Sequence, residues 1–352
     1  MERRIFCGFV WFFKIIKRKI VKREKGKRLV SFSLFFIYTF PLTFMLWQKI
    51  LFFLLIFACL TPFVSPPIAL ALGLFCAFTL GNPFPAQTAK FTKILLQASV
   101  VLLGFGMNLT NVYKAGKQGI VFTIATIFGT LILGYFVGKL LKVNEKTSAL
   151  VSCGTAICGG SAIAAVAPVI DADTEEISVS IGTVFILNSI ALFVFPIIGH
   201  WLNLSQNQFG IWAAIAIHDT SSVLGAAQIY GEESLAIATT VKLSRALWIA
   251  PVALLFAVFY HSKKAKIAVP WFIFLFLLAT VIRTYIPAEF PPSIFDSLIM
   301  LAKTGLTVTL FLIGASLSRE TLKKVGIKPL VQGTLLWLVI SLVSLWAVLK
   351  LL

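Results

Sequence analysis

Charged residues are scarce: Asp, Glu, Lys and Arg make up 12% of the 352 residues, against roughly 25% in a soluble globular domain. That shortage excludes a soluble enzyme and an ordinary nucleic-acid binder, despite a sequence pI near 9.9. No hydrophilic stretch is long enough to form a second domain. Cysteine is sparse and odd in number, at Cys7, Cys59, Cys76, Cys153 and Cys158, with no CxxC pair, so neither a disulfide framework nor a zinc site is expected. No GxxxxGK[ST] signature is present, which disfavours an ATP-driven pump, and no cofactor fingerprint appears. Catalytic residues, a metal and a cofactor are therefore not expected.

What is abundant is apolar sequence, at 59% with a mean hydropathy of +0.96. Runs near twenty residues recur along the chain and predict an all-α polytopic integral membrane protein. Spans are expected near 50–64, 66–81, 94–110, 119–138, 149–169, 177–199, 208–229, 235–259, 268–286, 297–317 and 329–349, about eleven transmembrane helices. Residues 50–350 form the transporter-like membrane domain. Residues 1–49 form a basic extension, in which 32–47 is a further apolar segment that either spans or lies at the interface.

Residues 1–33 hold eleven Lys or Arg against Glu2 and Glu24, a net +9 of the chain's +18. Such a block reads as a cytoplasmic anchor on anionic lipid, as an orientation signal, or as an over-long start. With the N-terminus cytoplasmic, inner loops collect Lys90, Lys93, Lys139, Lys142, Lys146, Lys263, Lys264, Lys266, Arg319, Lys323, Lys324 and Lys328. Outer loops keep Lys114 and Lys117, with Arg283 and Lys303 at span ends where they can snorkel, and collect Asp171, Asp173, Glu175, Glu176, Glu232, Glu233, Glu289 and Asp296. The C-terminus is then expected outside.

An internal repeat is visible. Lys93–Gly116 aligns without a gap on Lys303–Gly326, with Gly104 on Gly314 and Gly116 on Gly326. Seven crossings separate the two copies, so they enter the membrane in opposite directions, as the inverted repeats of secondary transporters do. A fainter likeness joins 161–196 to 222–251, each ending at a proline, but follows a different order along the chain.

Three segments carry the polar chemistry. In the fifth run, Cys158, Gly159, Gly160 and Ser161 permit an interrupted helix whose free N–H groups can hold an anion; close helix packing is the alternative. In the seventh run, His218 and Asp219 lead into Thr220, Ser221 and Ser222. An ionisable residue at mid-membrane costs about 2.5–3.5 kcal/mol, so this pair is expected to couple protons or Na⁺, with a structural salt bridge as the alternative. In the eighth run, Lys242 and Arg245 share a helix face and leave the cluster at +1 against Asp219, which favours an anionic substrate; either could instead snorkel. Asn188 and Asn108 are secondary candidates, otherwise read as glue between helices.

The motifs GTAICGGSAIAAVAPVI, IAIHDTSSVLGAA, VKLSRALWIAP, Val269-Pro270-Trp271-Phe272 and LLGFGMNL, in this order except for the last, which precedes them, resemble the YeiH-type family. Its members are uncharacterised bacterial inner-membrane proteins labelled sulfate exporters. The resemblance covers roughly residues 50–350. It implies a fold of the antiporter group, with inverted repeats and interrupted helices crossing at mid-membrane, and by analogy a homodimer in the bacterial inner membrane. Two departures stand out: many relatives carry Arg where this chain has Gly106 and another near Gln97, and the N-terminal extension lies outside the shared pattern.

The expectation is a secondary transporter that moves a small inorganic or organic anion, such as a sulfur oxyanion, across the lipid bilayer by alternating access, with no nucleic-acid partner. Cys158–Ser161, Thr220–Ser222, Lys242 and Arg245 would hold the anion, while His218 and Asp219 would couple H⁺ or Na⁺. An intramembrane enzyme using His218 and Asp219, and an anion channel, are the alternatives.

Overall fold

A computed structural model describes residues 46–261, 271–286, 291–317 and 325–352. The basic N-terminal block, Lys263, Lys264, Lys266, Val269, Pro270, Glu289, Arg319, Lys323 and Lys324 lie outside the described residues. The chain falls into two compact units, Met1–Leu55 and Ile56–Leu352. Helix α1, Leu46–Cys59, straddles their boundary.

In the larger unit every regular element among the described residues is helical. The order is α2 (Pro66–Thr79), α3 (Pro85–Leu103) with a 3-10 turn at Gly104–Gly106, α4 (Leu109–Leu140), α5 (Glu145–Ala156), α6 (Gly160–Val166), α7 (Thr174–Trp201), α8 (Gln206–Ala216) and α9 (Thr220–Tyr230). Then come α10 (Glu232–Ala246), α11 (Ile249–Phe259), α12 (Trp271–Tyr285), α13 (Pro292–Ser316) and α14 (Ile327–Leu351). Among the described residues six helices are long and apolar enough to cross a membrane, α10 and α11 counting as one. Helix starts carry their own signals: Asn108 and Asn144 cap α4 and α5, and capping boxes at Asp173/Glu176 and Ser205/Gln208 open α7 and α8. Each such cap satisfies N–H groups that the first turn leaves free, worth about 1 kcal/mol.

The fifth and seventh apolar runs do not cross the bundle as expected; each enters and turns back. Take the near end as the one where α4 passes into α5, marked by Lys139, Lys142, Lys146 and Lys328. The chain leaves this end along α5, yet Lys146 Nζ donates to the Asp171 carbonyl beyond α6 (2.7 Å), and the Ser180 hydroxyl of α7 donates to the Thr147 carbonyl (3.4 Å). Helices α5 and α6 are thus a hairpin entered from the near end. Helix α7, with 28 residues, then carries the chain to the far end. There the Tyr230 hydroxyl donates to the Leu204 carbonyl (2.5 Å), and Gln206 Oε1 accepts from the Glu233 and Ser234 amides (3.0 and 3.2 Å). Both ends of the α8–α9 hairpin therefore lie at the far end. Helices α10 and α11 return to the near end, where the Tyr260 hydroxyl donates to Glu145 (2.9 Å). Runs of 21 and 22 residues have the length of a span, so composition alone does not reveal the reversal. One consequence is a second correction: Asp171, Asp173, Glu175 and Glu176, expected in an outer loop, share the near end with Lys142 and Lys146.

Two packing groups result. Helices α2, α3, α12 and α13 form a scaffold in which α13 lies against α2 and α3, and α12 against α3 and the 3-10 turn. The seam between α2 and α13 is backbone on backbone: a Cβ at Gly73 would meet the Phe311 carbonyl oxygen at 2.1 Å, and one at Gly314 would meet the Leu70 carbonyl oxygen at 2.5 Å. Helices α4, α7, α10, α11 and α14 pack around the two hairpins.

The scaffold and core repeat under an inversion. Helix α3 runs from near to far and α13 from far to near, as the alignment of Gly104 on Gly314 requires. Gly104 packs against the Phe276 carbonyl of α12 as Gly314 packs against the Leu70 carbonyl of α2. Helix α4 lies on α5 as α14 lies on α8, and α5 on α7 as α8 on α10. The pairing is α2 with α12, α3 with α13, α4 with α14, one hairpin with the other, and α7 with α10–α11, which also has 28 residues. In the second copy the hairpin comes first in the chain. This permutation is why the likeness of 161–196 to 222–251 follows a different order from that of the 93 and 303 segments.

Candidate functional site

The hairpins meet tip to tip. At the near-end tip α5 stops at Ala156, Ile157 leaves helical geometry, and Gly159 takes φ +66°. Only glycine adopts that backbone without strain. A Cβ there would also lie 3.4 Å from Asp219 Cα and 3.3 Å from Val184 Cγ1, so the two tips are in contact. At the far-end tip α8 stops at Ala216, and Ile217 and Asp219 take extended backbone on either side of His218 before α9 begins. The freed amides of His218 and Asp219 both donate to Asn188 Oδ1 of α7, at 3.0 and 3.2 Å.

Two buried cations sit at the carbonyl ends of the broken helices. Lys242 Nζ donates to the carbonyls of Ile217 (2.7 Å) and Ala214 (3.3 Å), the C-terminal end of α8. Arg245 donates through one terminal nitrogen to the Ala156 carbonyl, the C-terminal end of α5, and through the other to the Thr126 hydroxyl of α4 (2.8 Å). Both side chains are fully buried, which overturns the snorkelling alternative. A helix C-terminus carries about half a negative charge, so a cation at each is electrostatically matched, and three residues on one helix put both cations on the same face.

Asp219 is satisfied differently from the sequence expectation. Its carboxylate caps its own helix, accepting from the Ser221 and Ser222 amides (3.0 and 3.3 Å) and from the Ser221 hydroxyl. It makes no ion pair with Lys242 or Arg245; among the described residues the ion pair is Lys303 with Glu232. The α9 N-terminus, with its partial positive charge, supports the carboxylate instead. Formal charge at the tips is two cations against one carboxylate, a surplus of +1, and the four helix ends cancel in pairs.

Several polar atoms at the tips have no partner. Both ring nitrogens of the fully buried His218 lack partners, as do Asn188 Nδ2, Thr155 Oγ1 and Arg245 Nε. An orphaned buried polar group costs about 1–3 kcal/mol, so such a concentration marks a place for a polar guest. Of the other candidates, Cys158, Gly159 and Gly160 form the near-end tip, with Ser161 exposed beside it, and Thr220 is half-buried on the far-end tip. Asn108 is not brought to the site; it caps α4 at the far end. Sequence reasoning gave no role to Thr155, Thr126 or the Ala156 carbonyl, because nothing in a hydroxyl or a backbone oxygen announces a basic partner such as Arg245, 119 positions from Thr126 and 89 from Ala156. No group of three His, Cys, Asp or Glu among the described residues is arranged to hold a metal ion.

A separate cavity of about 470 Å³ opens at the far end between the loop after α1, the end of α9 and the first half of α13. Glu232 and Asp296 outweigh Lys303 there, leaving −1, the wrong sign for an anion. Lys303, expected to snorkel, is held by Glu232 across this cavity.

The comparisons agree on one family. A family model described as conserved hypothetical protein 698 matches residues 42–333. A UPF0324 membrane protein of Bacteroides thetaiotaomicron is 54% identical over 283 residues, 80% of this chain and 86% of the relative. Another from Porphyromonas gingivalis is 53% identical over 287 residues, 81% and 87% of the two chains. One from Bdellovibrio bacteriovorus is 51% identical over 307 residues, 86% and 94%. No solved structure matches.

Proposed function

Because the chain belongs to the conserved hypothetical protein 698 family, the YeiH or UPF0324 type of helical membrane protein, we propose that it is a secondary transporter of a small anion. The observation that carries this reading is the pair of opposed hairpin tips, with a +1 surplus and unpartnered donors on His218, Asn188, Thr155 and Arg245. An oxyanion supplies acceptors on all sides and one negative charge or more, which complements that set. A sulfur oxyanion is one member of the class.

In this reading the roles divide. Lys242 and Arg245 hold the two carbonyl ends and leave spare donors facing the guest. Asn188 holds the far-end tip open through its oxygen and offers its amide. His218 touches the anion and can carry a proton with it. Asp219 keeps α9 capped and limits the surplus to one charge. The lysine-rich near end is the cytoplasmic side. Against an intramembrane enzyme stands the engagement of the Asp219 carboxylate with Ser221 and Ser222 rather than with the His218 ring.

Purified protein in proteoliposomes tests the reading. Exchange of a radiolabelled oxyanion, screened over sulfate, sulfite, thiosulfate and small carboxylates, should saturate and should fail in liposomes without protein. Absence of exchange for every anion, or flux that never saturates, would count against a carrier.

A further inference from the structure

The inverted repeats are alike in sequence and topology but unlike in their surroundings. Helix α9 of the far-end hairpin packs on scaffold helices α13 and α2, with Gly225 so close that a Cβ would lie 2.7 Å from Leu310 Cδ1. Its counterpart α6 packs on α5, α7 and α11 and has no comparable packing with α3 or α12. The scaffold helices register the same difference: 61% of the apolar window of α13 is buried, against 22% for α3. Thr307 is buried where its repeat equivalent Gln97 is half-exposed, and Val308 is buried where Ala98 is exposed.

We propose that the chain has a second state, in which α6 docks on α3 and α12 as α9 docks here on α13 and α2. The inference rests on the carrier reading and names its moving surfaces. Two packings of one inverted architecture are degenerate in kind, so whichever hairpin is docked closes its own end and leaves the other reachable. The exposed face of α6 suits this role. Ser161 and Ala164 lie on it, followed by Pro168 in the turn after α6, all small and exposed, whereas lipid-facing helices expose Ile132, Phe136, Ile197 and Leu338. Ala164 aligns with Gly225, the residue that meets the scaffold in the other hairpin. Exposure at Ser161 against burial of Ser221 and Ser222 makes the present state open toward the near end.

The repeat fixes the expected contact, since Leu310 aligns with Val100. Two double variants are compared in membranes, Gly225→Cys with Leu310→Cys and Ala164→Cys with Val100→Cys, each beside its single variants, with Ala164→Cys and Gln97→Cys as a neighbouring pair. After oxidation, disulfide-linked peptides are read by mass spectrometry. The first pair should link, and the Ala164 pairs should also link, with yields moving in opposite directions when sulfate or thiosulfate is supplied on one side. A linked first pair should also cut anion exchange at least tenfold, restored by reductant. Linkage of the first pair with no linked peptide from either Ala164 pair under any condition would overturn the proposal. The readout is a peptide, so it decides the second state even if no tested anion moves and the carrier reading falls.

Discussion

Lys242 Nζ lies 2.7 Å from the carbonyl oxygen of Ile217, the first residue past α8. A lysine is buried at mid-membrane because a helix ends there with carbonyls that have no other donor. Replacing Lys242 with Met should strand the carbonyls of Ala214 and Ile217 and lower stability by about 1–3 kcal/mol. Lys242→Arg should lose less. Thermal unfolding in detergent measures both; equal stability of the Met variant and the parent would show that the carbonyls do not need the cation.

His218 should behave oppositely. Its ring has no partner, so His218→Leu removes two orphaned nitrogens and should leave stability unchanged within about 1 kcal/mol or raise it. Anion exchange should fall at least tenfold. A variant that unfolds readily but transports normally when folded would make the ring structural.

For Asp219 the capping role predicts a clear order. Asn caps nearly as well as Asp, so Asp219→Asn should keep its stability, whereas Asp219→Ala should lose about 0.5–2 kcal/mol. Adding Arg245→Gln to Asp219→Asn should give no rescue, because the two side chains do not pair. The Asn variant raises the surplus from +1 to +2 and should shift competition toward more highly charged anions. A stability gain in the double variant over the Asn single would restore the salt-bridge account.

The scaffold seam allows no side chain. Gly314→Ala places a Cβ 2.5 Å from the Leu70 carbonyl oxygen and against the Leu74 amide. Neither is a flexible group, so the change should cost about 1–3 kcal/mol or more. Gly116, whose Cβ would meet nothing within 4 Å, should accept alanine freely. Equal expression and thermal stability of the two variants would contradict the close seam.

Much of this was legible in the sequence and the rest was not, for physical reasons. Apolar runs reveal how much chain is buried in lipid, and the Gly159 segment announces an interrupted helix. The alignment of Gly104 on Gly314 reveals an inverted repeat. Direction was illegible: 11 or 12 helical residues, a turn and a return read like one crossing, since hydropathy does not distinguish a reversal from a kink. Lys242 and Arg245 were visible as buried charge, but their partners are backbone carbonyls, which every residue has. The partners of Asp219 were illegible because a residue at mid-run was expected inside a helix, when it stands at a helix start and finds its donors two and three residues on.

The opposed hairpins are the claim on which the rest stands, and their direction can be measured directly. In a Cys7→Ala background the four other cysteines are buried, so single cysteines at Lys142, Asp171, Asn203 and Glu233 can be labelled with a membrane-impermeant maleimide in sealed vesicles of either orientation. Lys142 and Asp171 should label from one side, and Asn203 and Glu233 together from the other. Labelling of Lys142 and Asp171 from opposite sides, or of Asn203 and Glu233 from opposite sides, would mean that those segments cross the membrane, and the meeting of the tips would be wrong.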